Sequence, residues 1–172
     1  FDIKGRLKSC FDKELNHEFL NNSGNVISLY EDIPNNWDAW DIDFFYRDSL
    51  LETARIVEIT SGMECDFYQD LIFKFDIGSS KITQVVSLSG NSKRLDFSNK
   101  VNWNEKHKML RVHFPLNIKS DQASFDIQYG YVKRNTHQNT SWDKAKFEVV
   151  GHKYADLSDH DCGVALLNDC KY

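Results

Sequence analysis

Leu71-Ile72-Phe73-Lys74-Phe75-Asp76-Ile77-Gly78-Ser79-Ser80-Lys81-Ile82-Thr83-Gln84-Val85-Val86-Ser87-Leu88 is the stretch that decides the fold class. Leu71, Phe73 and Phe75 alternate with Ile72, Lys74 and Asp76. That period of two sends successive side chains to opposite faces of a strand. Gly78-Ser79 is a turn signal, and Lys81–Leu88 is a second run rich in β-formers. Outward from this stretch the same pattern recurs. Leu110, Val112 and Phe114 alternate with Arg111 and His113. Phe125, Ile127, Tyr129 and Tyr131 read as one alternating run, and Phe147, Val149 and Gly151 as another. Ile27–Glu31, Arg55–Thr60, Arg94–Phe97 and Cys162–Leu167 are further strand candidates. Ser23-Gly24, Ser61-Gly62, Gly90-Asn91, Pro115 with Asn117, and Ser158 to Asp161 supply the turns between them. The segment from Val101 to Pro115, with Trp103 near its start, reads as a structural hairpin with one apolar face.

Only Asp48–Ile56 has a helical pattern, and it is short. Roughly ten strands with regular turns and no long helix predict an all-β chain. The expected architecture is an antiparallel β-sandwich, supersandwich-like, with few or no helices. No internal repeat, low-complexity tract or linker interrupts the chain, so a single domain over 1–172 is the economical organisation.

Composition narrows the function classes. At 172 residues, 41% hydrophobic and 13% aromatic, the chain is long and apolar enough to build a core. A net charge of −5 argues against nucleic acid or an anionic membrane as the principal partner. Cys10, Cys65, Cys162 and Cys170 are scattered with no C-x-x-C spacing, which leaves both paired and free thiols open. Asn21 and Asn139 each head a glycosylation acceptor triplet, a pattern common by chance. His152 and His160, near Asp156, Asp159 and Asp161, are the one patch with metal-ligating residue types; loop histidines and acids more often face water. The first residue is Phe, and the last strand candidate ends just before the C-terminus. Both suggest a piece of a larger protein.

The segment with the densest chemistry is Tyr30 to Asp43. It places Trp37, Trp40 and five carboxylates (Glu31, Asp32, Asp38, Asp41, Asp43) around Pro34-Asn35-Asn36. Flat apolar rings beside hydrogen-bond acceptors suit a sugar, whose C–H face covers a ring and whose hydroxyls donate to carboxylates. Trp37 and Trp40 are three apart, so the segment must turn if both rings are to serve one surface. The competing reading makes both tryptophans core anchors. The polar run Arg134 to Asp143 is either a functional loop or a clip held by Thr and Asn side chains. No spacing among the acids selects an acid–base pair.

Several motifs in order carry a resemblance. They are Tyr30-Glu-Asp-Ile-Pro34 with Trp37-Asp-Ala-Trp-Asp41, Asn139-Thr-Ser-Trp-Asp143, Ala155-Asp-Leu-Ser158, and Gly163-Val-Ala-Leu-Leu-Asn-Asp-Cys-Lys-Tyr172. Together they resemble the C-terminal β domain of class II α-mannosidases, glycoside hydrolase family 38, in its cytosolic and vacuolar branch. The likeness covers the whole chain. It implies a retaining exo-α-mannosidase that removes terminal α-linked mannose from oligosaccharides. The aspartate nucleophile, the second carboxylate and one zinc would lie on an upstream catalytic domain of the same polypeptide. This fragment would be inactive alone, supporting that domain and closing one wall of its active site.

The resemblance places Trp40 against bound mannose. It aligns Lys153 of His152-Lys-Tyr-Ala-Asp-Leu-Ser158 with a family arginine; Lys keeps the charge and loses the planar fork. Trp37, Asp38 and Asp41 complete the expected substrate-binding set, with core packing as the rival role for Trp37. Asn135 and Cys162 depart from the family pattern, where Pro and an aromatic are usual. The rival function is a stand-alone carbohydrate-binding sandwich without catalysis. The compartment is expected to be cytoplasmic or vacuolar/lysosomal, and a homo-oligomer is compatible with the sequence.

Overall fold

A computed structural model of the chain describes residues 1–38 and 40–169. Chain contacts group them into two compact units, where the sequence reading takes one domain. One unit comprises Phe1–Ser9 and Asn22–Pro115; the other comprises Cys10–Asn21 and the chain from Leu116 onward. In chain order the strands are β1 (Phe11–Asp12), β2 (His17–Glu18), β3 (Val26–Glu31), β4 (Leu50–Thr53), β5 (Arg55–Cys65), β6 (Tyr68–Ile77), β7 (Ser80–Ser89), β8 (Leu95–Asn102), β9 (Lys108–His113), β10 (Gln122–Ile127), β11 (Gly130–Asn135), β12 (Tyr154–Ser158) and β13 (Gly163–Leu167). A 3-10 helix spans Phe44–Asp48, and α1 spans Ser141–Ala145. The fold is all-β and antiparallel, as the alternation predicts.

The larger unit is a sandwich. Its sheets run β4-β3-β9 and β5-β6-β7-β8. Ile27 and Leu29 from the first sheet meet Phe73, Phe75, Ile77, Ile82 and Val86 from the second, all buried. Phe73 is fully buried and stacks on Phe75 with ring centroids 6.0 Å apart. Burying each such side chain contributes roughly 1.5–3 kcal/mol. The opposite face of β6 and β7 is mixed, with Ile72 beside Val85 and a charged end where Asp76 takes both Arg55, at 3.4 Å, and Lys81, at 2.9 Å.

One polar group sits inside the apolar layer. Gln84, 1% exposed, accepts from Asn25 Nδ2 at 2.7 Å and donates to Asn99 Oδ1 at 2.8 Å. Its amide also donates to Asn25 Oδ1 at 3.2 Å, and Asn25 Nδ2 reaches the Gly5 carbonyl at 3.3 Å. Mutual pairing is what makes burial of these amides tolerable. Gly5 is required where it stands: its φ is +73°, and a Cβ there would lie 2.8 Å from the Phe75 ring.

The segment Val101–Pro115 is not the expected hairpin. β8 pairs with β7 and β9 pairs with β3, so the chain crosses between sheets after Asn102. Glu105 holds this crossover. Its buried carboxylate accepts from Ser79 N and the Ser80 hydroxyl and pairs with Lys108. The Lys108 bond, then the Ser79 amide, hold its carboxyl below the usual glutamate value.

The helical pattern at Asp48–Ile56 is also overturned. Leu50–Thr53 and Arg55 onward are strands, and the only helical turn nearby is Phe44–Asp48. The apolar spacing there arises because one edge of the chain passes from the first sheet to the second at Ala54, whose N–H bonds the Ile27 carbonyl at 2.9 Å.

The smaller unit has a four-stranded sheet ordered β11-β10-β12-β13 and the short β1-β2 pair. The run Phe125–Tyr131 is a hairpin rather than one strand, turning at Gln128-Tyr129 with Tyr129 at φ +62°. A two-residue turn preserves the alternation in sequence but changes the partner: Val132, not Tyr131, lies opposite Phe125. Phe147–Gly151 forms no strand. Its backbone is committed elsewhere: the Val150 carbonyl accepts from Arg134 Nη1 at 2.8 Å, and just beyond the segment His152 N bonds the Asp126 carbonyl at 3.0 Å.

Candidate functional site

The site is built on β3 and the loop that leaves it. Inward, β3 contributes Ile27 and Leu29 to the core. Outward, Tyr30 stands with its hydroxyl 3.2 Å from His113 Nε2 of β9. Onto this outer face the 3-10 helix lays Tyr46, 6% exposed. The Tyr46 ring meets Tyr30 edge-on at 5.5 Å, and the Arg111 guanidinium lies over it at 5.0 Å. Tyr46 is therefore the foot of the loop. In the sequence Tyr46 stands in an aromatic run, Phe44-Phe45-Tyr46, with nothing that singles it out from its exposed neighbours.

Backbone bonds close both ends of the loop. Glu31 N bonds the Ser49 carbonyl at 3.0 Å, and Asp32 N bonds that of His107 at 2.9 Å. Asp43 precedes the 3-10 helix without capping it, because its carboxylate accepts from Asn35 N at 2.6 Å. Asp41 Oδ1 accepts from Ile42 N at 3.0 Å. Two of the five acids thus order the loop backbone. Asp32 is half-buried, and its carboxyl is raised above the usual aspartate value by that burial, then by Asp38 and more weakly by Asp43, against the lowering effect of His107.

Above this base the segment turns as the spacing of the tryptophans required. The Trp37 carbonyl accepts from Trp40 N at 2.7 Å and Asp41 N at 3.0 Å. Trp37 itself has φ +63°, a backbone state uncommon for a bulky residue. Neither tryptophan is a core residue: Trp37 is 72% and Trp40 89% exposed. Asp38 and Asp41 are exposed on the same turn. Trp37, Asp38, Trp40 and Asp41 therefore share one protruding tip, while Ala39 between them lies outside the described residues.

Lys153 belongs to the smaller unit. It is exposed just before β12, with its N–H bonded to Asp126 Oδ2 at 3.0 Å and its carbonyl to Asn168 N at 2.8 Å. The loop tip and Lys153 sit in different units, and each is placed within its own.

The run Arg134 to Asp143 is a clip. Thr140 caps α1 through a reciprocal bond with Asp143, at 3.1 Å from Asp143 N and 3.2 Å from Thr140 N. Asn135 Nδ2 also reaches Asp143 Oδ1, at 3.2 Å. These bonds, the Thr140 hydroxyl first, hold the Asp143 carboxyl below the usual aspartate value.

The histidine–aspartate patch near the C-terminus is engaged locally. Asp156 holds the Ser158 hydroxyl at 3.0 Å, and Asp159 Oδ1 accepts from Asp161 N and Cys162 N, each at 2.9 Å. Among the described residues, no group of three or more His, Cys, Asp or Glu side chains is placed to hold a metal ion. Cys10, Cys65 and Cys162 are free thiols; Cys170 lies outside the described residues. No described helix is long and apolar enough to cross a membrane.

Fold and site together define a class: an antiparallel β-sandwich protein that displays an aromatic, acidic loop on a braced foot. All of it, residues 1–172, matches the family described as "Glycosyl hydrolases family 38 C-terminal domain". The chain is 44% identical to Alpha-mannosidase G of Dictyostelium discoideum, covering 98% of this chain and 16% of that protein. It is 42% identical to human Alpha-mannosidase 2C1, over 87% of this chain and 14% of that protein. It is 36% identical to the Alpha-mannosidase of Saccharomyces cerevisiae, over 98% of this chain and 17% of that protein. The chain belongs to the glycosyl hydrolase family 38 C-terminal domain family, and it spans 14–17% of the length of these relatives.

Proposed function

We propose that this chain is the C-terminal β portion of a retaining exo-α-mannosidase that removes terminal α-linked mannose from oligosaccharides. In this reading it braces the catalytic domain and lends Trp40 to one wall of the active site. The observation that carries the reading is the loop tip: Trp40 is 89% exposed on a turn whose foot, Tyr46, is buried. An exposed tryptophan on a fixed base is a surface waiting for a ligand face, and a pyranose ring supplies one. Asp38 and Asp41 beside it offer acceptors for sugar hydroxyls. Lys153, within the smaller unit, is proposed separately as a substrate-binding residue.

The catalytic carboxylates and the zinc belong, in this reading, to the part of the polypeptide outside these residues. The described side chains do not make a fitting metal site, so no chemical step is assigned to them. The chain alone is proposed to be inactive, and the compartment to be the cytosol or a vacuolar or lysosomal lumen. The test is Trp40→Ala in the full-length enzyme, assayed on an α-mannoside. A fall in kcat/KM with the fold intact supports the wall; unchanged kinetics reject it. The exposed tryptophan pair also suits a stand-alone sugar-binding module, and NMR titration of the full-length protein's catalytically dead variant against the isolated chain, both with mannobiose, separates the two.

A further inference from the structure

We infer that the continuous edge formed by β4 and β5 is the seat on which the preceding part of the same polypeptide docks, through the side chains of Val57 and Met63. β4 is the outer strand of the three-stranded sheet and β5 the outer strand of the four-stranded one. They follow each other directly in sequence, so one run from Leu50 to Cys65 borders both sheets of the sandwich. Among the described residues no strand pairs with their outer sides.

β5 is bulged twice against β6. The register steps from Ile56↔Phe75 to Glu58↔Lys74, and again from Ser61↔Leu71 to Glu64↔Gln69. Val57 falls in the first step and Met63 in the second. Bulges on an edge block strand addition and re-aim the extra side chain. Both re-aimed side chains here are large and apolar, with Val57 59% and Met63 67% exposed. Leu50 and Leu51 on β4 are 52% and 49% exposed. An edge that protects itself from pairing normally carries charge at such places. The charges on this edge lie elsewhere than at the bulge crowns: Glu58 is held by Lys74, Arg55 by Asp76, and Glu52 by Gly78 N, while Glu64 follows the second bulge. The side chains at the two bulges themselves are apolar.

The occupant follows from the extent of the chain. It covers 14–17% of its relatives, and its family is a C-terminal domain, so most of such a polypeptide precedes it. A large apolar edge in a protein of this kind is covered by that remainder. The inference rests on the proposal that this chain is part of such an enzyme, but not on Trp40 or any sugar contact.

The experiment uses the full-length polypeptide. Val57→Cys and Met63→Cys are made singly, with Lys100→Cys on the far edge of the same sheet as an exposed control. Thiol labelling is read peptide by peptide by mass spectrometry, across a dilution series with sizing. The docked edge predicts labelling at both sites at least about ten times slower than at the control, independent of concentration. Labelling as fast as the control overturns the inference. Protection that disappears on dilution together with a dimer also overturns it, because the occupant is then a second copy. A Val57→Asp, Met63→Asp double variant should lower the full-length Tm, whereas Lys100→Asp should not; an unchanged Tm counts against docking. Thiol protection with Trp40→Ala kinetics unchanged would leave the docking intact and remove the active-site wall, so the two failures are distinguishable.

Discussion

Tyr46→Ala removes the foot of the display loop without touching its tip. The buried ring contributes about 1.5–3 kcal/mol by burial. Its edge-on contact with Tyr30 adds about 0.5–1.5 kcal/mol, and the Arg111 guanidinium over its face about 0.5–1 kcal/mol. Together these give about 2.5–5.5 kcal/mol, in line with the usual cost of about 3–5 kcal/mol for truncating a buried aromatic to alanine. The ring lies on the outer face of the β4-β3-β9 sheet, away from the inner layer of Leu29 and Phe73, so the loss falls mainly on the loop. Amide hydrogen exchange reads this directly. The amides of Glu31, Asp32 and Ser49 close the loop through the carbonyls of Ser49, His107 and Tyr46. They should exchange about 100-fold faster or more in the variant, since each 1.4 kcal/mol is about tenfold. The amides of β6 and β7 should change much less. Unchanged exchange at the three loop amides, or an equal rise throughout the core strands, would refute the idea that Tyr46 is a local foot.

Other outcomes follow from the same geometry. Gln84→Met keeps the volume but strands the buried Asn25 amide, and should destabilise by about 1–3 kcal/mol in urea unfolding. Gly5→Ala meets both the positive φ and the Phe75 ring, and should lower Tm by several degrees, whereas Gly130→Ala, with nothing near its Cβ position, should not match it. Asp143 has a folded pKa below its ordinary 3.8, so its contribution to the α1 clip is complete above pH 3.8 and is lost as pH falls through the folded value. The Asp143 amide resonance should move over that acid range, and Asp143→Asn should abolish the dependence.

The strands were legible where one face is buried and the other wet. β6 and β7 follow their alternation almost residue for residue, because Phe73, Phe75, Ile82 and Val86 face a second sheet while Lys74, Asp76 and Lys81 face solvent. Legibility failed where sheet membership, rather than pattern, decides the outcome. Nothing in Val101–Pro115 says that β8 and β9 join different sheets; that depends on Glu105 bonding a turn 25 residues away. Leu50, Leu51 and Ala54 mimic a helical spacing because the chain changes sheets between them. Tyr129 hides its turn because a two-residue loop keeps period two. At the site, the need for a turn between Trp37 and Trp40, if both rings serve one surface, could be read from their spacing; the loop-ordering bonds of Asp41 and Asp43 could not, since they depend on backbone amides that the fold brings to them. The buried foot could not, since Tyr46 differs from its exposed neighbours Phe44 and Phe45 only in where the 3-10 helix points it.

The central claim is that this β domain places Trp40 on the sugar-binding wall of an α-mannosidase. Its most direct test is kcat/KM of full-length Trp40→Ala beside Trp40→Phe, on an α-mannoside, with Tm measured on the same preparations. The account predicts a fall of about 3- to 10-fold for alanine, the size of one lost ring contact, with phenylalanine retaining most of the activity and both Tm values unchanged. Alanine kinetics equal to wild type at unchanged Tm would contradict it.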